Sequence, residues 1–551
     1  MAIKVQGTTV IDDSRNLQNV PNVNLTGNVY ANTFIGDSSN LVNLPASGGS
    51  ITATASGTLA NGDKVIVNSD GTVSVVSGQD QSLGTIYEYQ SSGDVDSARA
   101  IYVPNLDRVV VAYRDHEQSY IVTGQIRSSG QVTFGTPYQW WNGSYRKEAW
   151  HLMVDESGNA PSGEETIIMV FSTNTGLDLL NVVLFNVNSS GVTNFGSQYT
   201  VDSTASGLQY AYEEVAAVYS TSTNKAYVFW CDGGGYNQLK YRSITCGSTN
   251  NITPTFGTVY NVTSDSASSI TATIDNTNHK ILIANYEGSG SPSYAVSRVA
   301  IPNGDSLTIG SVIDISSYFS SAAPGVASSS LQQKMSVFDS VNSRVVLFVG
   351  ASLGSSVYAI YGLVGDMGTG SSTSITWNPA QRITYSLQGN MRSSQVVIDS
   401  GGIIALAFKN TDFNYELLTC KVDGTSLTTT SALLPDGTQN TYDPALSITS
   451  YDSQFGFIAR SSNGRGYVRS FYALDTTLTT ENFIGISDGS YVNGVSATIQ
   501  TKGSVDDAQS SLTIGKKYYV LPDGTLSTTA STNVPVFVGT AIASNKLIVK
   551  G

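Results

Sequence analysis

Along most of this chain apolar and polar residues alternate with the two-residue period of a β-strand, and no stretch keeps the 3.6-residue period of a helix. Between about Asp96 and Phe483 the alternation is organised into copies. Each copy opens with an alternating strand, crosses a polar turn and returns as a denser apolar strand. The return strands are RVVVAY (from Arg108), TIIMVF (Thr166), KAYVFW (Lys225), KILIANY (Lys280), RVVLFVG (Arg344), IIALAF (Ile403) and FGFIAR (Phe455), seven in all. The strands before them are ARAIYV, AWHLMV, EEVAAVY, SITATI, KMSVF, QVVI and ALSIT. Turns such as DNTNHK after Ile274, DSVNSR after Phe338 and DSGG after Ile398 join the pairs. Asp, Asn, Ser and Gly accept tight-turn geometry or bond their own backbone, so each pair reads as a β-hairpin.

Further alternating strands follow the hairpins, among them SYIVTGQIRS, LNVVLFNVNS, QLKYRSITC, YAVSRVAI and YAIYGLVG. An outer element then recurs: FGTPY at Phe134, FGSQY at Phe195, FGTVY at Phe256 and a weaker IGSVI at Ile309. The FG copies stand about sixty residues apart, a spacing of repeat architectures. Four strands per copy and seven copies predict an all-β chain whose main body is a seven-bladed β-propeller. A six- or eight-bladed ring and a large β-sandwich are the alternatives, and the copy number decides for seven.

Composition narrows the function classes. Only 13% of the 551 residues are charged, while Gly (53) and Tyr (30) are plentiful, which gives a β-rich surface of uncharged polar groups. The net charge of −14 and the lack of any basic run exclude a phosphate-backbone binder, so no nucleic-acid partner is expected. Three cysteines, Cys231, Cys246 and Cys420, are too few and too odd in number for a disulfide framework. Cys231 and Cys246 fall on neighbouring strands of one blade, yet buried small hydrophobes are the better reading. MAIKVQGTTV has no apolar signal region, and no stretch of eighteen apolar residues exists. The chain is therefore expected to be neither exported by the general secretory route nor inserted in a membrane.

The flanks read differently from the copies. Residues 1–50 supply Leu25, Val29, Phe34, Leu41 and Leu44 among many Asn, with no segment of matching pattern to bury them. Fifty such residues cannot form a core alone, so they are expected to associate with copies of themselves or to dock on a larger body. Residues 51–90 and 483–551 carry matching turns: Leu59, Gly62, Val67 and Asp70-Gly71-Thr72 align with Leu512, Gly515, Val520 and Asp523-Gly524-Thr525. Leu83-Gly84-Thr85 further aligns with Val538-Gly539-Thr540. Each DG is a hairpin turn. The two flanks are expected to pair into one small split β-barrel or sandwich, with the propeller of residues 91–482 inserted between its halves.

The stretch NVYANTFIGDSSNLVNL, with the form F-x-G-D-x-S-x-L-x-N-L at Phe34 to Leu44, resembles N-terminal segments of bacteriophage tail-fibre and other virion appendage proteins, especially of cyanobacterial phages. A second resemblance lies in the last seventy residues, in YYVLPDGTLS followed by VGTAIASNKLIVKG. It implies a virion structural protein assembled in the host cytoplasm, with other virion proteins as partners. It further implies a homo-oligomer, a trimer by the fibre likeness, whose N-terminal segment is a stalk or attachment piece. Host-surface attachment or particle stabilisation is the implied task, with a host glycan or receptor as target.

Candidate chemistry is sparse. The three histidines, His116, His151 and His279, lie in different copies and make no metal-binding or triad spacing. No phosphate-binding glycine loop is present. No catalytic residue, metal or cofactor is therefore expected, and the chain is read as a non-enzyme. The competing class is a carbohydrate depolymerase or glycosidase, which needs only two acids flanking a sugar. Its candidates are Glu213 and Glu214, Asp115 and Glu117, and Glu164 and Glu165, although neighbours on a strand point to opposite faces. SSTSITW, ending at Trp377, lacks the Asp and Gly of a sialidase-type Asp-box. The cluster YQWWNGSYRKEAWHL places Trp140, Trp141, Tyr145 and Trp150 beside polar groups, a composition suited to a glycan or protein contact. The competing reading is that these rings plug the seam between two blades.

Overall fold

The computed structural model describes residues 3–5, 8–11 and 49–550, apart from segments 80, 92, 128–130, 144–146, 174–178, 203–214, 232–237, 248–251, 289–293, 320–330, 353–357, 388–394, 410–414, 431–446, 452–453, 461–463 and 474. Among the described residues the regular structure is antiparallel β-sheet with two short 3-10 turns, Pro104–Leu106 and Ser316–Phe319.

Each sequence copy is one four-stranded sheet. The first contains Val95–Val103, Arg108–Asp115, Gln118–Ile126 and an outer strand broken into Val132–Phe134 and Tyr138–Asn142. The second repeats this with Lys147–Val154, Glu165–Thr173, Leu179–Asn188, Gly191–Phe195 and Tyr199–Asp202. Tyr260–Asp275 serves twice, starting as the outer strand of the third sheet and ending as the inner strand of the fourth. The return strands are buried along nearly their whole length because each sheet is packed between two others. The inner strands adjoin one another from sheet to sheet, and Ser447–Tyr451 of the seventh returns to Val95–Val103 of the first. The fold is an all-β propeller with a closed ring of seven sheets.

The recurrent FG marks the break in the outer strand. At Gly135, Gly196, Gly257 and Gly310 the amide donates to the neighbouring strand's Thr123, Leu184, Ser243 and Val299 carbonyls at 2.9–3.1 Å. A Cβ at Gly310 would stand 2.3 Å from the backbone oxygen of Thr373, so glycine is what permits the close approach there.

Closure corrects one expected boundary. Ser82–Gln90, assigned from the sequence to the small domain of residues 51–90, is the outer strand of the seventh sheet, paired with Gly466–Tyr472. Without it Gly466–Tyr472 would be an unpaired edge, which a long β-chain must cover. Leu83 packs on one side of this sheet, and Tyr87 and Tyr89 pack on the other, against the first sheet.

The remaining flanks form two sheets of like topology. One has the spatial order Ser50–Thr54, Ser496–Gln500, Phe483–Ser487, Lys64–Val67, Val73–Val75. The other has the order Val505–Asp506, Lys546–Val549, Val536–Ala543, Lys517–Val520, Leu526–Ser527. In chain order each strand of one has a counterpart in the other, so the base is an internal duplication. The propeller is inserted between the third and fourth strands of the first copy. Ile66 and Ile486 of the first of these sheets, with Val76 and Leu478 of its connecting segments, share one core with Val520, Val536, Val538 and Leu547 of the second.

This topology also corrects an alignment. The counterpart of Val538-Gly539-Thr540 is Ile484-Gly485-Ile486, not Leu83-Gly84-Thr85. A Cβ at Gly485 would meet Gln500 O at 2.0 Å, and one at Gly539 would meet Ile548 O at 2.1 Å. The same backbone crossing thus demands glycine twice. At the N-terminal end Ile3–Val5 pairs with Thr8–Ile11. Leu25, Val29, Phe34, Leu41 and Leu44 lie outside the described residues.

Candidate functional site

The inner strands of four sheets end in an Asp that turns the chain. Asp275 Oδ1 accepts the amides of Thr277 and Asn278, and its Oδ2 accepts Asn278 Nδ2 at 2.8 Å. Asp339 repeats the arrangement with Val341 and Asn342. These side chains replace backbone partners and hold the hairpins closed. In the second sheet the position three residues after Asp155 is Gly158, so the amide that would satisfy Oδ2 is missing. Asp155 Oδ1 accepts Ser157 N at 3.1 Å and Tyr219 Oη at 2.5 Å, while Oδ2 is buried with no hydrogen-bond partner. The Cys246 thiol, a weak donor at best, lies against this carboxylate. Asp399 in the sixth sheet likewise has an unpartnered Oδ2, and burial raises its pKa.

Beside Asp155 the channel mouth widens into an open cavity of about 730 Å³, bounded by the inner strands of the first four sheets. Its lining includes the aliphatic Ile101, Leu152, Val154, Ala272 and Ile274 and the aromatic Tyr102 and Tyr219. Three acidic residues, Asp155, Glu156 and Glu165, are among those that line it. Glu165 Oε1 accepts Asn105 Nδ2 at 2.8 Å. Partial burial raises the pKa of Glu156, and the charges of Asp155 and Glu165 raise it further. Tyr219 is pushed well above the usual phenol range by burial and then by its bond to Asp155, so it holds its proton and donates it. Asn276 is committed to Thr221 N and Tyr219 O. Among the described residues no group of three His, Cys, Asp or Glu is placed to hold a metal ion.

The aromatic cluster read from the sequence divides. Trp140 is 9% exposed, with its ring edge-on to Phe171 at 5.3 Å and stacked on Phe195 at 6.0 Å. It plugs the seam between the first and second sheets, and its ring faces are not available to a ligand. Trp141, its neighbour across a bulge in the strand, is half-buried against the same seam. Tyr145 lies outside the described residues, and of Trp150 only the backbone, in Lys147–Val154, is described.

The acids read as catalytic candidates are also separated. Glu213 and Glu214 lie outside the described residues. Asp115 is structural: its carboxylate accepts Gln90 Nε2 and Asp94 N, both at 2.7 Å, and so ties the closing strand to the first sheet. Of the remaining acids Glu165 reaches the cavity, and sequence reasoning missed its companions Asp155 and Glu156. The signal was present, since VDESG occupies the place of IDNTN and FDSVN at the end of an inner strand. Trp377 is buried and donates to Ser297 Oγ at 2.9 Å. All three cysteines are free and buried. Cys231 stands opposite Leu239 and Ala226 opposite Ile244, which puts Cys231 and Cys246 at opposite ends of their hairpin.

No protein-family model matches the chain, and no curated protein matches it. Among solved structures, a triple mutant of AofleA from Arthrobotrys oligospora is 11% identical with a TM-score of 0.36, covering 67% of this chain and 94% of that one. An ulvan lyase of a new polysaccharide lyase family is 11% identical with a TM-score of 0.40, covering 70% and 95%. The WD40 domain of SCAP from fission yeast is 7% identical with a TM-score of 0.36, covering 69% and 82%. Similarity at this level transfers none of those proteins' activities or ligands.

Proposed function

We propose that the chain is a non-enzymatic structural protein of a bacteriophage virion, displaying its propeller for host-surface attachment or particle stabilisation. The observation that carries this reading is the mounting of the propeller. The chain enters and leaves it through two paired segments, Gly78–Gln79 and Asp475–Thr476. Thr477 N donates to Ser77 O at 3.0 Å, and Thr476 Oγ1 donates to Pro522 O of the second base sheet at 2.6 Å. Asn533 Nδ2 reaches Gln81 Oε1 at 3.3 Å. A single linker lets a domain swing, whereas a paired double crossing with lateral ties fixes its orientation. A body held at a set angle on a duplicated base suits display from a particle, and the resemblance of both chain ends to virion appendage proteins supports that location. Leu25, Val29, Phe34, Leu41 and Leu44 are proposed as the contact with other virion proteins or with further copies, a trimer by the same resemblance. Several copies would multiply weak receptor contacts through avidity.

Immunogold labelling of purified particles with an antibody against the propeller tests the location, and blocking of adsorption by that antibody tests the attachment role. Absence of the chain from purified particles by mass spectrometry refutes the virion reading. A second reading, a carbohydrate depolymerase, has one observation in its favour: Glu156, with its raised pKa, shares a cavity with Asp155 and Glu165. New reducing ends released from host-envelope polysaccharide, and lost in Glu156→Gln, would establish it.

A further inference from the structure

Ser50–Thr54 is an edge strand of the first base sheet, and among the described residues no strand pairs with its outer side. Gly49 O accepts Thr501 N at 2.8 Å and Ala55 N donates to Val495 O at 2.8 Å, so the odd-numbered residues bond inward. In an antiparallel pair the intervening residues turn their amides and carbonyls the other way, which puts those of Ser50, Thr52 and Thr54 on the open side. The bridge from Ala55 to Val73 lies past the end of the strand. Exposed edges are commonly guarded by a charge or a proline, and SITAT carries neither.

The side chains repeat what the backbone shows. Ile51 stands opposite Ile499, which is fully buried, yet Ile51 is itself 43% exposed. Cross-strand partners share a face, so the apolar face that covers Ile499 stops one strand short of covering Ile51. One more strand on the open side completes both the ladder and the face.

The course of the chain selects the occupant. Residues 12–48 lie outside the described residues, and the chain enters the base at Gly49, directly before the edge strand. Immediately upstream the sequence reads NLVNLPASGG, an apolar run of Leu41, Val42 and Leu44 followed by a short segment of Pro, Ser and Gly. Two strand-like runs joined by such a segment are a hairpin signature. A run tethered through so short a loop also meets the edge at lower entropic cost than any segment of another molecule.

We propose that the edge Ser50–Thr54 docks the chain's own residues 41–45, antiparallel to it, in a hairpin whose loop is 46–49. Leu44 then stands opposite Ile51 and Val42 opposite Ala53 on the core face, while Leu41 and Asn43 face outward. The base would thereby hold the N-terminal segment at a fixed angle to the propeller mounted on it. The docking goes beyond the virion reading and survives its failure.

Amide hydrogen exchange of the full chain, read residue by residue, tests it. The amides of Ser50, Thr52 and Thr54 are expected to exchange about tenfold or more slower than unpaired amides. In Val42→Asp/Leu44→Asp these three are expected to lose their protection while Ile51 and Ala53, bonded inward, keep theirs. Leu44→Cys/Ile51→Cys, oxidised and sized under denaturing conditions, is expected to be cross-linked within one chain. Exchange of Ser50, Thr52 and Thr54 at the unpaired rate in the native chain overturns the proposal. So does protection that Val42→Asp/Leu44→Asp leaves unchanged, or cross-linking between chains, which assigns the edge to a second copy.

Discussion

Replacing Tyr89 tests whether Ser82–Gln90 is the strand that closes the ring. Tyr89 is 7% exposed and belongs to the seventh sheet, but its ring lies 5.0 Å from Tyr113 and 5.7 Å from Phe134 of the first. It also covers Gly466, where a Cβ would come within 2.5 Å of the ring. Truncating a buried aromatic to alanine costs about 3–5 kcal/mol through lost transfer free energy and the cavity left behind. The ring pairs contribute about 0.5–1.5 kcal/mol each within that sum. Tyr89→Phe separates the ring from its hydroxyl. That hydroxyl is buried without a hydrogen-bond partner, so its removal relieves a desolvation cost on the order of 1–3 kcal/mol. Calorimetry of the propeller transition should show Tyr89→Phe melting at or above the native temperature and Tyr89→Ala several degrees below it. Loss of less than about 1 kcal/mol in Tyr89→Ala would refute closure through this seam, as would equal destabilisation by both variants.

Other outcomes follow from the same geometry. Burial lowers the His151 imidazole from 6.5 to about 4, with Arg99 adding to the effect, so below about pH 6.5 the unfolded chain takes a proton that the folded chain refuses. Stability should therefore be full above that pH and fall by about 1.4 kcal/mol per unit between 6.5 and 4, a step that His151→Gln removes in pH-dependent calorimetry. Gly485→Ala and Gly539→Ala, whose Cβ atoms would meet carbonyl oxygens at 2.0 and 2.1 Å, should each destabilise the base far more than Gly71→Ala. At Gly71 the space is open and only the left-handed backbone costs about 1 kcal/mol. Burial raises the Cys246 and Cys420 thiols, so Ellman's reagent should find no reactive thiol in the native chain and three after denaturation. A chain in which an Asn-Gly turn joins Ser77 directly to Thr477 should keep the two base sheets folded and protease-resistant, and an unfolded product would show that the base depends on the propeller.

Legibility in the sequence followed the physics of each element. The seven return strands stood out because a strand buried on both faces carries an uninterrupted apolar run, as TIIMVF and RVVLFVG do. The Asp-rich turns were legible because Asp275 and Asp339 bond their own backbone, a local effect that the sequence records directly. Ser82–Gln90 was misplaced because it is amphipathic and pairs with a strand nearly four hundred residues away, and strand pairing leaves no local mark. Trp140 was ambiguous for a related reason: a bulge in Tyr138–Asn142 brings Trp140 and Trp141 to the same seam, and composition does not reveal it. Of the cavity acids the sequence offered Glu165 alone, because Asp155 and Glu156 meet it only once Lys147–Val154 and Glu165–Thr173 pair across their turn. Asp155 occupies the same turn position as Asp275 and Asp339, and like Asp399 it has a Gly (Gly158; Gly402) where those two have Asn.

The closing strand also explains how a ring of some four hundred residues fits inside a five-stranded sheet. A propeller closed by its own last blade ends where that blade ends. Here the seventh sheet borrows its outer strand from the chain before the first, so entry and exit run side by side at Ser82 and Tyr472, which are paired. The host sheet then experiences the insertion as a hairpin whose two stems remain neighbours. Lys64–Val67 still pairs with Phe483–Ser487 across the whole propeller, as Lys517–Val520 pairs with Val536–Ala543 across a short loop in the uninterrupted copy. Closure thus removes the ring's exposed edge, places its ends together, and through Gly78–Gln79 against Asp475–Thr476 sets its angle on the base. Weakening the Tyr89 seam should consequently loosen the mounting as well as the ring, whereas a substitution in a seam remote from closure, such as Phe348→Ala between the fifth and sixth sheets, should destabilise the ring alone.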